Sequence, residues 1–293
     1  CPVPGYDRHF TICEHFGIEM INIDMLATGP DMDQIESLVS ADPMIKGIWC
    51  VPKYSNPTGH TYSDATVDRF AALPKLAGDN FVIMWDNAYT VHHLTDNHDQ
   101  LKNLMTAARA VDTAGSVIAL GSTSKVTFAG AGIAFLATTA DNLKRFESFL
   151  SASMIGFDKV NQLRHVHFLK DAAGIAAHME KHRAIIAPKF AATLDILDAN
   201  LSGKGIASWT EPKGGYFISL DTLPGLASEV VRQAAEIGVK LTPAGATFPY
   251  GKDPENRNIR IAPTFPSMAA LKQALEVFVV CVQLVSVNHY LNK

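Results

Sequence analysis

Gly121-Ser122-Thr123-Ser124-Lys125 sets a lysine between two unusual neighbours. Before it runs an apolar stretch, Ser116-Val117-Ile118-Ala119-Leu120, and after it a small-residue stretch, Phe128-Ala129-Gly130-Ala131-Gly132. Lysine prefers water, and burying its ammonium without a partner is expensive. A desolvated lysine loses its proton more easily and can form a Schiff base with an aldehyde. Ser122 and Ser124 would then offer hydroxyls to an anionic group on the same ligand. The plainer reading is a turn that ends a strand and exposes its lysine. Three more stretches carry side chains of the same kind. They are Pro52-Lys53-Tyr54-Ser55-Asn56-Pro57-Thr58-Gly59, Asp86-Asn87-Ala88-Tyr89 and Asn258-Ile259-Arg260-Ile261.

The elements that must hold these residues follow from apolar patterning. Short apolar runs predict strands over 20–23, 46–51, 81–85, 117–120 and 133–138, with 81–85 of the kind buried on both faces. Helical spacing covers 31–41, 63–76 and 101–110, with Ser63 as an N-cap and Pro74 as a break. This alternation predicts a covered, mostly parallel sheet, whose chemistry sits at the carboxyl ends of strands. Asn56, Asp86 and Lys125 each fall just after a predicted strand. Helices follow over 141–153, 158–170 and 171–201, the last containing Pro188. Beyond them, strands at Trp209, 215–220, 239–241 and 259–261, with helices over 227–237 and 267–287, predict a smaller α+β unit.

In this order the four motifs resemble the fold-type I enzymes that use pyridoxal phosphate (PLP), specifically class I aminotransferases. The Ser-Thr-Ser-Lys followed by Phe-Ala-Gly-Ala-Gly is most similar to the atypical aspartate aminotransferases, a group like the aminotransferase half of MocR-type regulators. The resemblance implies an α/β fold with a large PLP-binding domain over 1–170, incomplete at its N-terminus. An interdomain helix and small C-terminal domain would cover 171–293. It also implies transfer of an amino group from an amino acid, aspartate first, to a 2-oxo acid such as 2-oxoglutarate. A homodimer in the cytoplasm is the expected assembly. The same constellation would serve a PLP-dependent C–S lyase, or the effector sensor of a MocR-type regulator.

Within the resemblance each residue has a physical task. A carboxylate beside the cofactor's ring nitrogen keeps it protonated, because opposite charges raise the pyridinium pKa. Asp86 is placed for that; alone it would be a surface aspartate ending a strand. The ring's 3-oxygen is an anion that needs donors, and Asn56 and Tyr89 supply an amide and a phenol. Otherwise Asn56 belongs to a plain turn and Tyr89 is a half-buried aromatic. Ser122 and Ser124 would hold the phosphate with backbone N–H groups. Many class I enzymes carry an arginine after the lysine, where this chain has Gly130-Ala131-Gly132-Ile133. Arg260, a guanidinium in an apolar strand, matches the residue for the substrate α-carboxylate; a structural ion pair is its plainer role. Arg164 is the candidate for a second substrate carboxylate, against a helix-surface salt bridge. The aromatic that stacks on the ring would fall at Val3 or Tyr6, and its place before Pro4 selects Val3.

Composition bounds the rest. A net charge of −4 without a basic block gives no footprint for nucleic acid. The four cysteines lack metal or redox-motif spacing, which suits a reducing compartment. His92, His93 and His98 read as solvated loop histidines, and His165 and His167 point to different sides of a helix. The apolar stretch 274–287 is short of the ~20 residues that span a bilayer, so a buried terminal helix is expected rather than a membrane segment. The opening Cys1-Pro2-Val3-Pro4 reads as the middle of a domain. The resemblance then implies a missing N-terminal portion on the order of one hundred residues, a plausible domain piece. That portion would carry a glycine-rich phosphate loop, and the present chain alone would be inactive.

Overall fold

The apolar runs of the first half become strands because each can pair with the next at the same register. The computed structural model describes residues 1–292. Along the chain come β1 (Pro2–Val3), α1 (Asp7–His15), β2 (Ile23–Leu26), β3 (Gly29–Pro30) and α2 (Met32–Ala41). Next are β4 (Gly47–Cys50), α3 (Asp64–Ala72), β5 (Val82–Asp86), α4 (Leu104–Ala110), β6 (Val117–Ser122) and β7 (Ala134–Ala137). The helices α5 (Ala140–Ser153), α6 (Lys159–Leu169) and α7 (Ala172–Leu201) follow. The chain closes with β8 (Ala207–Trp209), β9 (Ile218–Thr222), α8 (Ala227–Glu236), β10 (Asn258–Ile261) and α9 (Met268–Leu291).

The sheet that carries the motifs has the order β4-β5-β6-β7. The first three strands are parallel, with Cys50 opposite Trp85 and Trp85 opposite Ala119; β7 turns back antiparallel to β6. Parallel neighbours put the ends of β4, β5 and β6 on one edge. Side-chain caps start the helices that connect them. Asp31 accepts from the N–H of Asp33 and Gln34, Ser63 from Thr66, and Asn103 from Thr106. Met32, Ile35, Val67, Phe70, Leu104 and Ala108 press on Ile83 and Trp85 to form one core. The expectation that 81–85 is buried on both faces does not hold: Ile83 and Trp85 are buried, while Val82 and Met84 are half-buried.

A second core lies around the antiparallel sheet β10-β9-β8. Phe190, Leu197 and Leu201 of α7 pack there with Phe278 and Val282 of α9. Pro188 lies inside α7, which continues to Leu201. At Pro74 the α-helix has already ended and a 3-10 turn replaces it, because proline has no N–H and crowds the preceding turn.

Several expectations need correction. The strand expected at 20–23 forms three residues later, since pairing with Pro2 and Val3 fixes its start at Ile23. No strand forms at 239–241; Val239 is half-buried and packs against the second core instead. Residues 215–217 are loop, drawn toward the lysine. Helix α1 was unanticipated. Helix α9 has 24 residues, so by length and composition it is long and apolar enough to cross a membrane. Its Leu271, Leu275, Phe278 and Val282 are nonetheless buried against the second core, as befits a core helix.

Candidate active site

Asp86 is the last residue of β5, and Lys125 sits in the turn just after β6. That turn is fixed by its own backbone: Val126 N–H and Thr127 N–H both bond the carbonyl of Thr123, and Thr123 N–H reaches Ile133. Side chains from four other segments hold it as well. Tyr216 donates its hydroxyl to the Lys125 carbonyl at 2.9 Å, and His92 Nε2 donates to the same oxygen at 3.2 Å. His178 Nε2, on α7, donates to the Val126 carbonyl at 2.8 Å. His165 Nε2, on α6, lies 3.0 Å from the Thr123 hydroxyl and 2.9 Å from that of Thr127. A lysine on so determined a backbone has a fixed point of departure.

The Lys125 ammonium lies 4.9 Å from the centre of the Tyr89 ring. Burial lowers its pKa and the Asp86 charge pulls it back in part, the balance a nucleophilic lysine needs. Tyr89 is buried among His92, Tyr216 and Phe217. Burial first, then the neighbouring Tyr6 and Asp86, push its phenol well above the ordinary value. It therefore keeps its proton and can donate.

Asp86 accepts a hydrogen bond from His9 Nε2 at 3.1 Å. His9 is buried on α1 and stacked on Trp49, with ring centres 4.0 Å apart. His9 escaped the sequence reading because its partner lies 77 positions away. Its only local signal is a buried pair, His9 and Phe10, in an otherwise polar helix. Val3, expected to stack on the cofactor, packs instead against Phe10 and Met20. Tyr6 takes the place beside the site, 5.0 Å from the His9 ring and close enough to Tyr89 to influence its ionisation.

Asn56 is 1% exposed. Its Oδ1 accepts from Arg260 Nη1 at 3.3 Å, but its Nδ2 has no partner. An unpaired buried donor is costly and therefore informative. Arg260 extends from β10 over the ring of Phe217 and also meets Asp7 Oδ1 at 3.1 Å. Ser122 and Ser124 bond each other at 2.9 Å, and Ser124 N–H caps back onto Ser122 at 3.1 Å. Gly132 explains the small-residue run: a Cβ there would stand 2.6 Å from Ser124 N.

The structure thus brings Lys125, Asp86, Tyr89, Asn56 and Arg260 into one neighbourhood, with the Ser122–Ser124 pair on the same turn as the lysine. It does not add Arg164. That residue is exposed on α6 and makes no ion pair among the described residues. It lines a separate cavity of about 480 Å³ with Thr127, Phe128, Leu163 and Phe168. The histidines also depart from expectation. His92 is buried rather than solvated, and burial lowers its pKa to about 4. His165 is buried and His167 exposed, as the helical spacing predicts.

These residues fit pyridoxal phosphate. The orphaned Asn56 amide and the protonated Tyr89 suit a phenolate oxygen, Asp86 suits a protonated ring nitrogen, and two hydroxyls suit a phosphate. A lysine after a parallel strand, an aspartate ending its neighbour and an arginine from the second sheet define the class: a PLP-dependent transferase of fold-type I.

Comparison with known proteins agrees. The profile of the aspartate amino-transferase family matches residues 1–293. An aspartate aminotransferase of Corynebacterium glutamicum is 47% identical over 292 residues, which are 100% of this chain and 67% of that protein. A Mycolicibacterium smegmatis relative is 51% identical over 96% of this chain and 65% of its own length. The chain thus spans about two thirds of the length of these relatives. The crystal structure of a Corynebacterium glutamicum aspartate transaminase superposes with a TM-score of 0.96 at 46% identity, covering 99% of this chain and 68% of that one. An α-aminoadipate aminotransferase of Thermus thermophilus, solved with N-(5'-phosphopyridoxyl)-L-leucine, shares the fold at 22% identity and a TM-score of 0.83, over 98% of this chain and 71% of that chain. The chain belongs to the aspartate aminotransferase family, whose members use pyridoxal phosphate.

Proposed function

We propose that the protein is a PLP-dependent aminotransferase that moves an amino group between an amino acid, aspartate first, and a 2-oxo acid such as 2-oxoglutarate. The observation that carries this is the buried, unpaired amide of Asn56, whose Oδ1 meets Arg260 in the group that also holds Lys125 and Asp86. When bound, the cofactor supplies an electron sink for the substrate carbon. The chain does the rest. Lys125 anchors the cofactor and then moves the proton at the substrate carbon, for which burial has lowered its pKa. Asp86, steadied by His9, holds the proton on the ring nitrogen. Asn56 and Tyr89 donate to the ring oxygen, Ser122 and Ser124 to the phosphate, and Arg260 to the substrate α-carboxylate. For the second carboxylate of aspartate the candidate is Arg164, which lies outside the Lys125 neighbourhood and lines the adjoining cavity with Thr127.

The test is direct. The protein with PLP should absorb in the visible, borohydride should fix the cofactor to Lys125, and Lys125→Ala should lose turnover. Turnover by Lys125→Ala would remove the reading. Arg164→Leu should raise KM for aspartate far more than for alanine; equal changes discard Arg164. No observation favours the lyase or the sensor. We further propose a homodimer, supported by the apolar outer faces of α5 and α6, and a cytoplasmic setting, supported by four free cysteines.

A further inference from the structure

Arg260 already holds a carboxylate. Asp7 Oδ1, on the first turn of α1, accepts from Arg260 Nη1 at 3.1 Å. The arginine is well buried, with 11% of its side chain exposed, whereas Asp7 is 43% exposed. The pairing is one-toothed. Nη1 is shared with Asn56 Oδ1, Nε makes only a long contact of 3.4 Å to Thr242, and Nη2 has no bond to any described residue. A guanidinium is built to pair with two carboxylate oxygens at once. Asp7 therefore occupies the seat without filling it. A half-exposed ion pair with one hydrogen bond is weak and readily exchanged.

From this geometry we infer that Asp7 is a placeholder for the substrate α-carboxylate, which must displace it from Arg260 before binding. The inference rests on the reading of Arg260 as the substrate's anchor. The placeholder has two effects. It keeps the guanidinium aligned over Phe217 when no substrate is present, and it competes with every incoming carboxylate. Asp7 thereby sets affinity for the acid group through Arg260 without touching the reacting atoms, so it is a positioning and not a catalytic residue. It also shares the start of α1 with His9, two residues on, which holds Asp86. Displacement at the substrate end thus begins on the helix that steadies the cofactor end.

The experiment uses succinate and propionate as unreactive acids, with binding measured by calorimetry to the protein with and without PLP. Asp7→Asn keeps the size of the side chain, which caps nothing in α1, and removes the competing charge. It should bind both acids about fivefold more tightly, equivalent to ~1 kcal/mol. The gain should shrink in high salt, since exposed charges are screened. KM for amino acids should fall by a similar factor while kcat is kept. Asp7→Glu, which restores the charge, should return affinity toward the original. Unchanged or weaker acid binding by Asp7→Asn, with Arg260→Ala abolishing binding, would overturn the placeholder and leave the anchor intact. If Arg260→Ala binds the acids as the parent does, the anchor reading itself has failed.

Discussion

Asn56 and His92 show that one buried residue can favour ligand binding and another can oppose folding. The Nδ2 group of Asn56 is buried without a partner. In the bare protein it is a liability, and bound to an anionic oxygen it is an asset. Asn56→Ala should weaken PLP binding by roughly 10- to 100-fold, the worth of a charge-assisted hydrogen bond. The thermal midpoint of the cofactor-free protein should hardly move, because the lost Oδ1 bond to Arg260 is offset by relief of the orphaned donor. Fluorescence titration and a thermal melt separate the two effects. His92 is neutral and buried under the lysine turn, with a pKa of about 4 in the fold against ~6.5 unfolded. Between those values the unfolded chain binds more protons, so this contribution is complete above pH ~6.5 and is lost as pH falls toward about 4. The loss is on the order of 3 kcal/mol. His92→Gln can still donate to the Lys125 carbonyl but does not titrate. Urea midpoints for this variant should therefore fall less steeply between pH 6.5 and 4, and an identical slope would show that His92 is not the titrating group. Sequence displayed Asn56 through its motif. It could not display His92, because whether a loop histidine is buried depends on Tyr216 and α7, which arrive from far along the chain.

At the scale of elements, the parallel strands were legible because an apolar run followed by one polar residue marks the buried strand and its functional end together. Helix α1 was not, since only His9 and Phe10 are buried along its nine residues and no apolar stripe emerges. The strand at 239–241 misled for the opposite reason: its composition is right, but pairing is a property of neighbours. The lysine turn lies between these cases. Its glycines looked like generic small residues, yet the two bracketing Ala131 have different tasks. A Cβ on Gly132 would press on Ser124 N at 2.6 Å and on its hydroxyl, whereas one on Gly130 meets nothing within 4 Å. Gly130 instead has φ +78°, where a side chain costs roughly 1–2 kcal/mol. Gly132→Ala should therefore cut PLP affinity tenfold or more by displacing Ser124. Gly130→Ala should cost about 1 kcal/mol of stability and leave affinity near the parent value. The reverse pattern in parallel melts and titrations would mean that Ser124 does not serve the phosphate.

At the scale of the whole molecule, the surface is uneven. No residue of α5 is buried, and Phe146 and Phe149 are exposed on it. Ile155 and Phe157 follow, and Val160, Leu163 and Val166 are exposed on α6. A monomer seldom exposes so many large apolar side chains on adjacent segments, and the homodimer proposed above would bury them. The assignment has a consequence inside the site. Helix α6 carries His165, whose ring meets the hydroxyls of Thr123 and Thr127 on the lysine turn. Cover for its outer face therefore also steadies Lys125. Sedimentation of the protein should report twice the chain mass at micromolar concentration. Phe149→Asp combined with Val160→Asp should return it to a single chain mass. The same double variant should bind PLP several-fold more weakly although neither residue approaches the cofactor neighbourhood, because the loss travels through α6 and His165. His165→Phe in the unaltered background should reproduce the weaker binding while leaving the mass doubled. A double variant that sediments as the parent does would exclude this face as the contact between copies. A dissociated variant with unchanged PLP affinity would show that the turn is held by His92, His178 and Tyr216 without help from α6.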